Sequence, residues 1–130
     1  MPHRAVIFLG VHSLLRCVLS KQPWLAQIRK GLIEFCILEV IHQDGESYGY
    51  AIMRSLDHAQ ALRFNESAVY LALGRLLKSG ALSCRHGTSD TGRKRRYFKL
   101  TPQGYEHLNQ IRQDWTSLTE AIALLQGGKL

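Results

Sequence analysis

Cysteine is scarce in this chain: three residues in 130, standing far apart as Cys17, Cys36 and Cys84. An odd count without Cys-x-x-Cys spacing excludes a disulfide framework and a zinc site on paired thiolates. It points to reduced thiols in a reducing compartment, the cytoplasm. The six histidines show no ligand spacing either, so neither a metal nor a cofactor is expected. Gly-x-Ser-x-Gly, a phosphate-cradling glycine loop and paired histidines on one helix face are all missing, and the chain is read as a non-enzyme. Repeats and low-complexity segments are missing too. Acidic residues are few, ten against seventeen Lys and Arg, which leaves a net charge of +7 and a pI near 9.7. The length fits one domain, and so basic a balance in a small domain suggests a polyanionic partner.

A long hydrophobic run is also lacking. Residues 5–19, AVIFLGVHSLLRCVL, are broken by His12 and Arg16 and fall short of the about 20 apolar residues that span a bilayer. No small-residue cleavage site follows, and Arg16 before Cys17 is unlike a lipoprotein signal. Stable membrane association is therefore not expected. Ile7, Val11, Leu14, Leu15 and Val18 share one helical face. Residues 1–23 are read as an N-terminal extension, an extra helix packed on the body or on a partner subunit. An artefact of start-codon choice and a targeting segment are the alternatives.

What is present is strong periodicity. From Trp24 to His42, Ile28, Leu32, Phe35, Cys36, Val40 and Ile41 recur at helical spacing, widened by Leu25 and Leu38. Asp44-Gly45 supplies turn chemistry. Ser47 is a candidate N-cap for a second helix to about His58, with Gly49, Ile52, Met53 and Leu56 buried. Asn65 caps a third helix that runs to about Ser79 and ends at Gly80, with Val69, Leu73, Leu76 and Leu77 as its core stripe. Residues 81–86 and 95–100 alternate as two short strands around a flexible polar loop, 87–94. Thr101-Pro102 opens a final helix to about Gln126. In it Leu108, Ile111, Trp115, Leu118, Ile122 and Leu125 are spaced 3, 4, 3, 4, 3, a heptad seam. The expected fold class is mainly α with a small β-hairpin: a winged helix-turn-helix over 24–100 and a C-terminal dimerisation helix over 101–130.

Four segments, in order, resemble the PadR-like regulators. Arg29-Lys30-Gly31-Leu32 is similar to the family's opening of helix one. Ser47-Tyr48-Gly49-Tyr50-Ala51-Ile52 resembles its YGYEI-type second helix. Ala68 to Leu82, AVYLALGRLLKSGAL, resembles TLYPALHRLEKEGLL. Gly92 to Thr101, with Gly104, resembles G-x-x-R-K-Y-Y-x-L-T-x-x-G. The likeness covers about three quarters of the chain, from Ile28 to Leu125. Departures fall at Ala51 for an acid, Ala68 for Thr, Leu71 for Pro and Gly74 for a larger polar residue. One more Arg also interrupts the wing, giving Lys94-Arg95-Arg96-Tyr97. Ala68 and Gly74 bear on which operator is read. A MarR-like dimer is the rival family, disfavoured by the single C-terminal helix and the wing signature.

The resemblance implies DNA binding, and the residues suggest how. The third helix is the candidate recognition helix for a major groove about 12 Å wide. Ser67, Leu71, Gly74, Arg75 and Lys78 lie opposite its core stripe, with Ala68 beside them. Ser67 suits a base edge or phosphate, Arg75 guanine or phosphate, and Leu71 a thymine methyl. Gly74 either admits close backbone approach or is a neutral change. Tyr48 and Tyr70 would turn their hydroxyls to phosphate, whereas Tyr50 is read as core packing. The wing carries Arg85, Arg93, Lys94, Arg95, Arg96 and Lys99 against Asp90 alone. Arg93 and Lys94, with Arg95, are the candidates for phosphate or minor-groove contact.

The seam Leu108, Ile111, Trp115, Leu118, Ile122 and Leu125 is the candidate homodimer interface, matched to a palindromic operator. Trp115 is read first as interface packing. The resemblance also allows it to stack a small flat hydrophobic or aromatic effector, with Phe8 or Trp24 nearby. The expected function is a sequence-specific, double-stranded-DNA-binding regulator, a ligand-responsive repressor by family likeness. A winged-helix adaptor that binds protein without reading DNA is the alternative, and it has no need of the basic wing.

Overall fold

A computed structural model describes residues 23–128. The expected N-terminal helix, including Phe8 and Cys17, lies outside the described residues. The described residues divide between two units, with the boundary after Gly31.

Helix α1 spans Pro23–Asp44. In the second unit its buried residues are Ile33, Ile37, Leu38 and Ile41, while Leu32, Phe35, Cys36 and Val40 are only half-buried. The expected stripe is therefore rotated. Apolar side chains occupy most of the helix circumference here, so spacing alone leaves the phase of the buried face undetermined.

After Gly45, which turns the chain at φ +78°, Ser47 does not cap a helix. Ser47–Tyr48 form a short strand β1, with Ser47 opposite Phe98 and Tyr48 opposite Tyr97. Ser47 is buried and its hydroxyl has no hydrogen-bond partner. Helix α2, Gly49–His58, starts one residue later without a side-chain cap. It buries Gly49, Ile52 and Leu56. A single 3₁₀ turn, Gln60–Leu62, follows.

Helix α3, Glu66–Lys78, begins where Asn65 Oδ1 accepts the Ala68 amide at 2.8 Å. It ends as the sequence foretold. Gly80 takes φ +84°, the Ala81 amide donates to the Leu76 carbonyl and the Gly80 amide to that of Leu77. That pair of bonds satisfies carbonyls the helix would otherwise leave unpaired. Strands β2, Leu82–Thr88, and β3, Lys94–Leu100, are longer than expected. The loop shrinks to an ordered tip. There Ser89 and Arg93 pair through their backbones, the Gly92 amide donates to the Ser89 carbonyl, and Ser89 Oγ accepts the Arg93 amide. With β1 the hairpin becomes a three-stranded antiparallel sheet in the order β1-β3-β2.

Helix α4 spans Pro102–Leu125. Thr101 Oγ1 accepts the Gly104 amide at 2.9 Å and donates to the Gly80 carbonyl at 2.6 Å. One hydroxyl thus caps α4 and ties it to the end of α3. A Cβ on Gly104 would fall inside the Ala81 carbonyl oxygen, so glycine is required for this approach. The core gathers Ile37, Leu38, Ile41, Ile52, Val69, Leu73, Leu76, Phe98 and Leu108, each worth about 1.5–3 kcal/mol on burial for the larger side chains. This is a winged helix followed by one long helix.

Candidate nucleic-acid interface

A cleft of about 450 Å³ opens between the start of α2, the outer face of α3 and strand β3. Four consecutive cations, Arg93 to Arg96, line it with Tyr48, Gly49, Tyr50, Tyr70 and Phe98. Tyr70 is seated by a missing side chain. A Cβ on Gly49 would stand 2.5 Å from the Tyr70 hydroxyl and 2.9 Å from its ring. The glycine in Tyr48-Gly49-Tyr50 therefore lets α3 rest its tyrosine on the first turn of α2.

Two of these lining residues, Tyr48 and Arg95, also belong to a second arrangement on the sheet. The Tyr48 and Tyr97 rings meet edge to face, their centroids 5.7 Å apart. Arg95 lies 4.0 Å above the Tyr48 ring and Arg85 4.5 Å above that of Tyr97. Such contacts join a cation to the negative face of an aromatic ring. Glu46, just before β1, grips Arg85 with both oxygens: Nε donates at 2.9 Å and the terminal nitrogen at 2.6 Å. The bonds from Arg85 hold the Glu46 carboxyl below its ordinary pKa, and Lys99 adds to the effect. The same pair raises the Arg85 pKa.

On α3, Ser67, Leu71, Gly74 and Lys78 are exposed. A Cβ on Gly74 would meet nothing within 4 Å, so no internal packing calls for glycine there. Ala68 is half-buried against the core. Arg75 is exposed as well, and its Nε donates to Glu34 on α1 at 3.1 Å. Tyr50 differs from expectation. It is 63% exposed and lines the cleft. Counting from buried Gly49 would have shown this, since the next residue on a helix points about 100° away. Arg85 belongs to Glu46 rather than to the uncommitted wing cations.

A family model described as the transcriptional regulator PadR-like family matches residues 37–110. This chain belongs to that family. DNA-binding regulation of transcription is thus its function class. A PadR-like transcriptional regulator of Bacillus cereus is 31% identical, with a TM-score of 0.70 over 79% of this chain and 99% of that one. A Streptococcus transcriptional regulator is 29% identical, with a TM-score of 0.69 over 77% and 97% of the two chains. An uncharacterised Lysinibacillus sphaericus protein is 26% identical across 79% of this chain and 95% of its own length.

Burial divides the seam of α4 in two. Leu108 is buried in its own chain and Ile111 packs against the same core. Leu108 therefore serves the domain rather than offering a free surface, because the base of α4 lies on the sheet. Beyond them Trp115, Leu118, Ile122 and Leu125 are exposed, with Leu124 beside them. Among the described residues, Phe35 of α1 places its ring next to Trp115, 6.2 Å away between centroids. Sequence spacing did not single out this neighbour; Trp24 belongs to the first unit. Arg112 holds Glu39 at 2.7 Å alongside. Burial, helped by Glu39, raises the pKa of the half-buried Cys36 thiol. Among the described residues no cluster of three or more metal-ligating groups occurs, and no helix is long and apolar enough to cross a membrane.

Proposed function

We propose that this PadR-like regulator is a cytoplasmic, sequence-specific repressor that binds a palindromic operator as a homodimer and responds to a small flat hydrophobic ligand. The cleft carries the reading: residues Arg93 to Arg96 and three tyrosines line it beside the exposed side of α3. Arg93, Lys94 and Arg95 take phosphate or minor-groove contacts, and Tyr48 and Tyr70 add hydroxyls to phosphate. Ser67, Ala68, Leu71, Gly74 and Lys78 present the reading surface to the major groove. Arg75 reaches DNA only by leaving Glu34, a modest cost for an exposed pair. The dimer reading is supported by the exposed run from Trp115 to Leu125 on α4, which a second copy would cover. The Phe35–Trp115 pair supplies the stacking surface for the effector.

Selection of the purified protein against random duplex DNA at near-physiological salt tests this function. Enrichment of an inverted repeat with half-sites one or two helical turns apart is the expected result. Retention of duplex with no enriched sequence would remove the specific-operator reading.

A further inference from the structure

We propose that Glu46 is a positioning residue for DNA binding, acting through a stack across all three strands that fixes Arg95 at the cleft. The inference rests on the DNA reading of that cleft. Its links are continuous. Glu46 holds Arg85 of β2 through two bonds, at 2.6 and 2.9 Å. Arg85 covers the Tyr97 ring of β3, Tyr97 meets Tyr48 of β1, and Tyr48 carries Arg95. Arg95 is also a lining residue of the cleft.

The stack occupies space that one glycine keeps clear. A Cβ on Gly87 would come within 2.8 Å of both the Arg85 guanidinium and the Tyr97 ring. Gly87 is opposite Arg95 in the ladder, so the omission falls directly across from the arginine it helps to place. An arginine on a flexible stem loses conformational freedom when it is held for a ligand. A ring beneath it removes part of that loss before binding. The residue responsible is an acid, the wrong charge for direct contact with a polyanion, and this gives the inference a decisive sign. If Glu46 acts only as a nearby negative charge, neutralising it tightens DNA binding. If it positions Arg95, neutralising it weakens binding.

The test is a double-mutant cycle on the full chain, with affinity for a fixed duplex measured by fluorescence anisotropy. Glu46→Gln is expected to weaken binding about fivefold, and this loss disappears in an Arg95→Ala background. Gly87→Ala, which changes no charge, is expected to act in the same direction and to couple to Arg95 in the same way. Should Gly87→Ala fail to fold, the Glu46 cycle decides alone. Unchanged or tighter binding by Glu46→Gln, or a loss that simply adds to that of Arg95→Ala, overturns the proposal. A wild-type chain that binds no duplex overturns the DNA reading and this inference together, and the first titration distinguishes that case.

Discussion

The wing cleft and the far half of α4 are both exposed, yet they are unfinished in different ways. The cleft is assembled within one chain: Tyr70 is seated, the strands are paired, and the cations are spread over adjacent positions. Water and salt satisfy such a surface until a polyanion displaces them. The far half of α4 is an apolar row on a helix that has left its own core behind. Trp115 is 42% exposed and Leu125 88%. Nothing in water satisfies that row, so its partner must be apolar too. One region suits a ligand that is exchanged, and the other leaves an apolar row for the second copy proposed above.

Placing charge on the α4 row should separate the two regions most clearly. The double substitution Leu118→Glu and Ile122→Glu is expected to give monomers by sedimentation velocity. Operator affinity should fall about a hundredfold or more, because two half-sites are no longer engaged together. A dimer that persists would show that the row is not the interface. Inside the same seam, Leu108→Ala should leave association intact but lower stability by about 2–5 kcal/mol in urea unfolding. Gly104→Ala should also destabilise the fold, through the clash with the Ala81 carbonyl. Weaker association without lost stability in Leu108→Ala would return Leu108 to the interface.

Smaller effects belong to the wing. Arg93→Ala and Lys94→Ala should each flatten the dependence of log affinity on log salt by about one unit, with oligomeric state untouched. An unchanged slope removes the phosphate contact. The smallest effect is acidic. Glu46 has a lowered folded-state pKa, so its pairing with Arg85 contributes above the ordinary carboxylate value of 4.5 and is lost as pH falls through the lowered one. Carboxyl NMR titration should show the Glu46 midpoint moving up to the ordinary range in Arg85→Ala. A midpoint that stays low would assign the shift to another group.

How much of this was legible depended on whether the signal was local. As caps, Asn65 and Thr101 bond amides three places away and Gly80 closes its helix by its own conformation, and all three stand where spacing put them. The order of elements followed from them. The phase of α1 was not legible, because Ile33 and Ile37 are no more apolar than Leu32 and Phe35. Only packing into the shared core chooses between them. Strand β1 was hidden for a different reason: two residues carry no period, and Ser47 looks like a cap until Phe98 pairs with it from 51 positions away. The cleft was legible in its cations and in Tyr48 and Tyr70. The commitments of Arg75 to Glu34 and Arg85 to Glu46 were not, since they span 41 and 39 positions.

Thr101 and Gly104 have a mechanical meaning beyond capping. The hydroxyl pins the root of α4 to the tail of α3, and the missing Cβ lets the two backbones touch at Ala81. A joint this short has no slack. The helix behaves as a rigid boom about 36 Å long by its residue count, clamped to the element we propose for the major groove. A tilt of a few degrees at its free end swings the clamped end through the same angle.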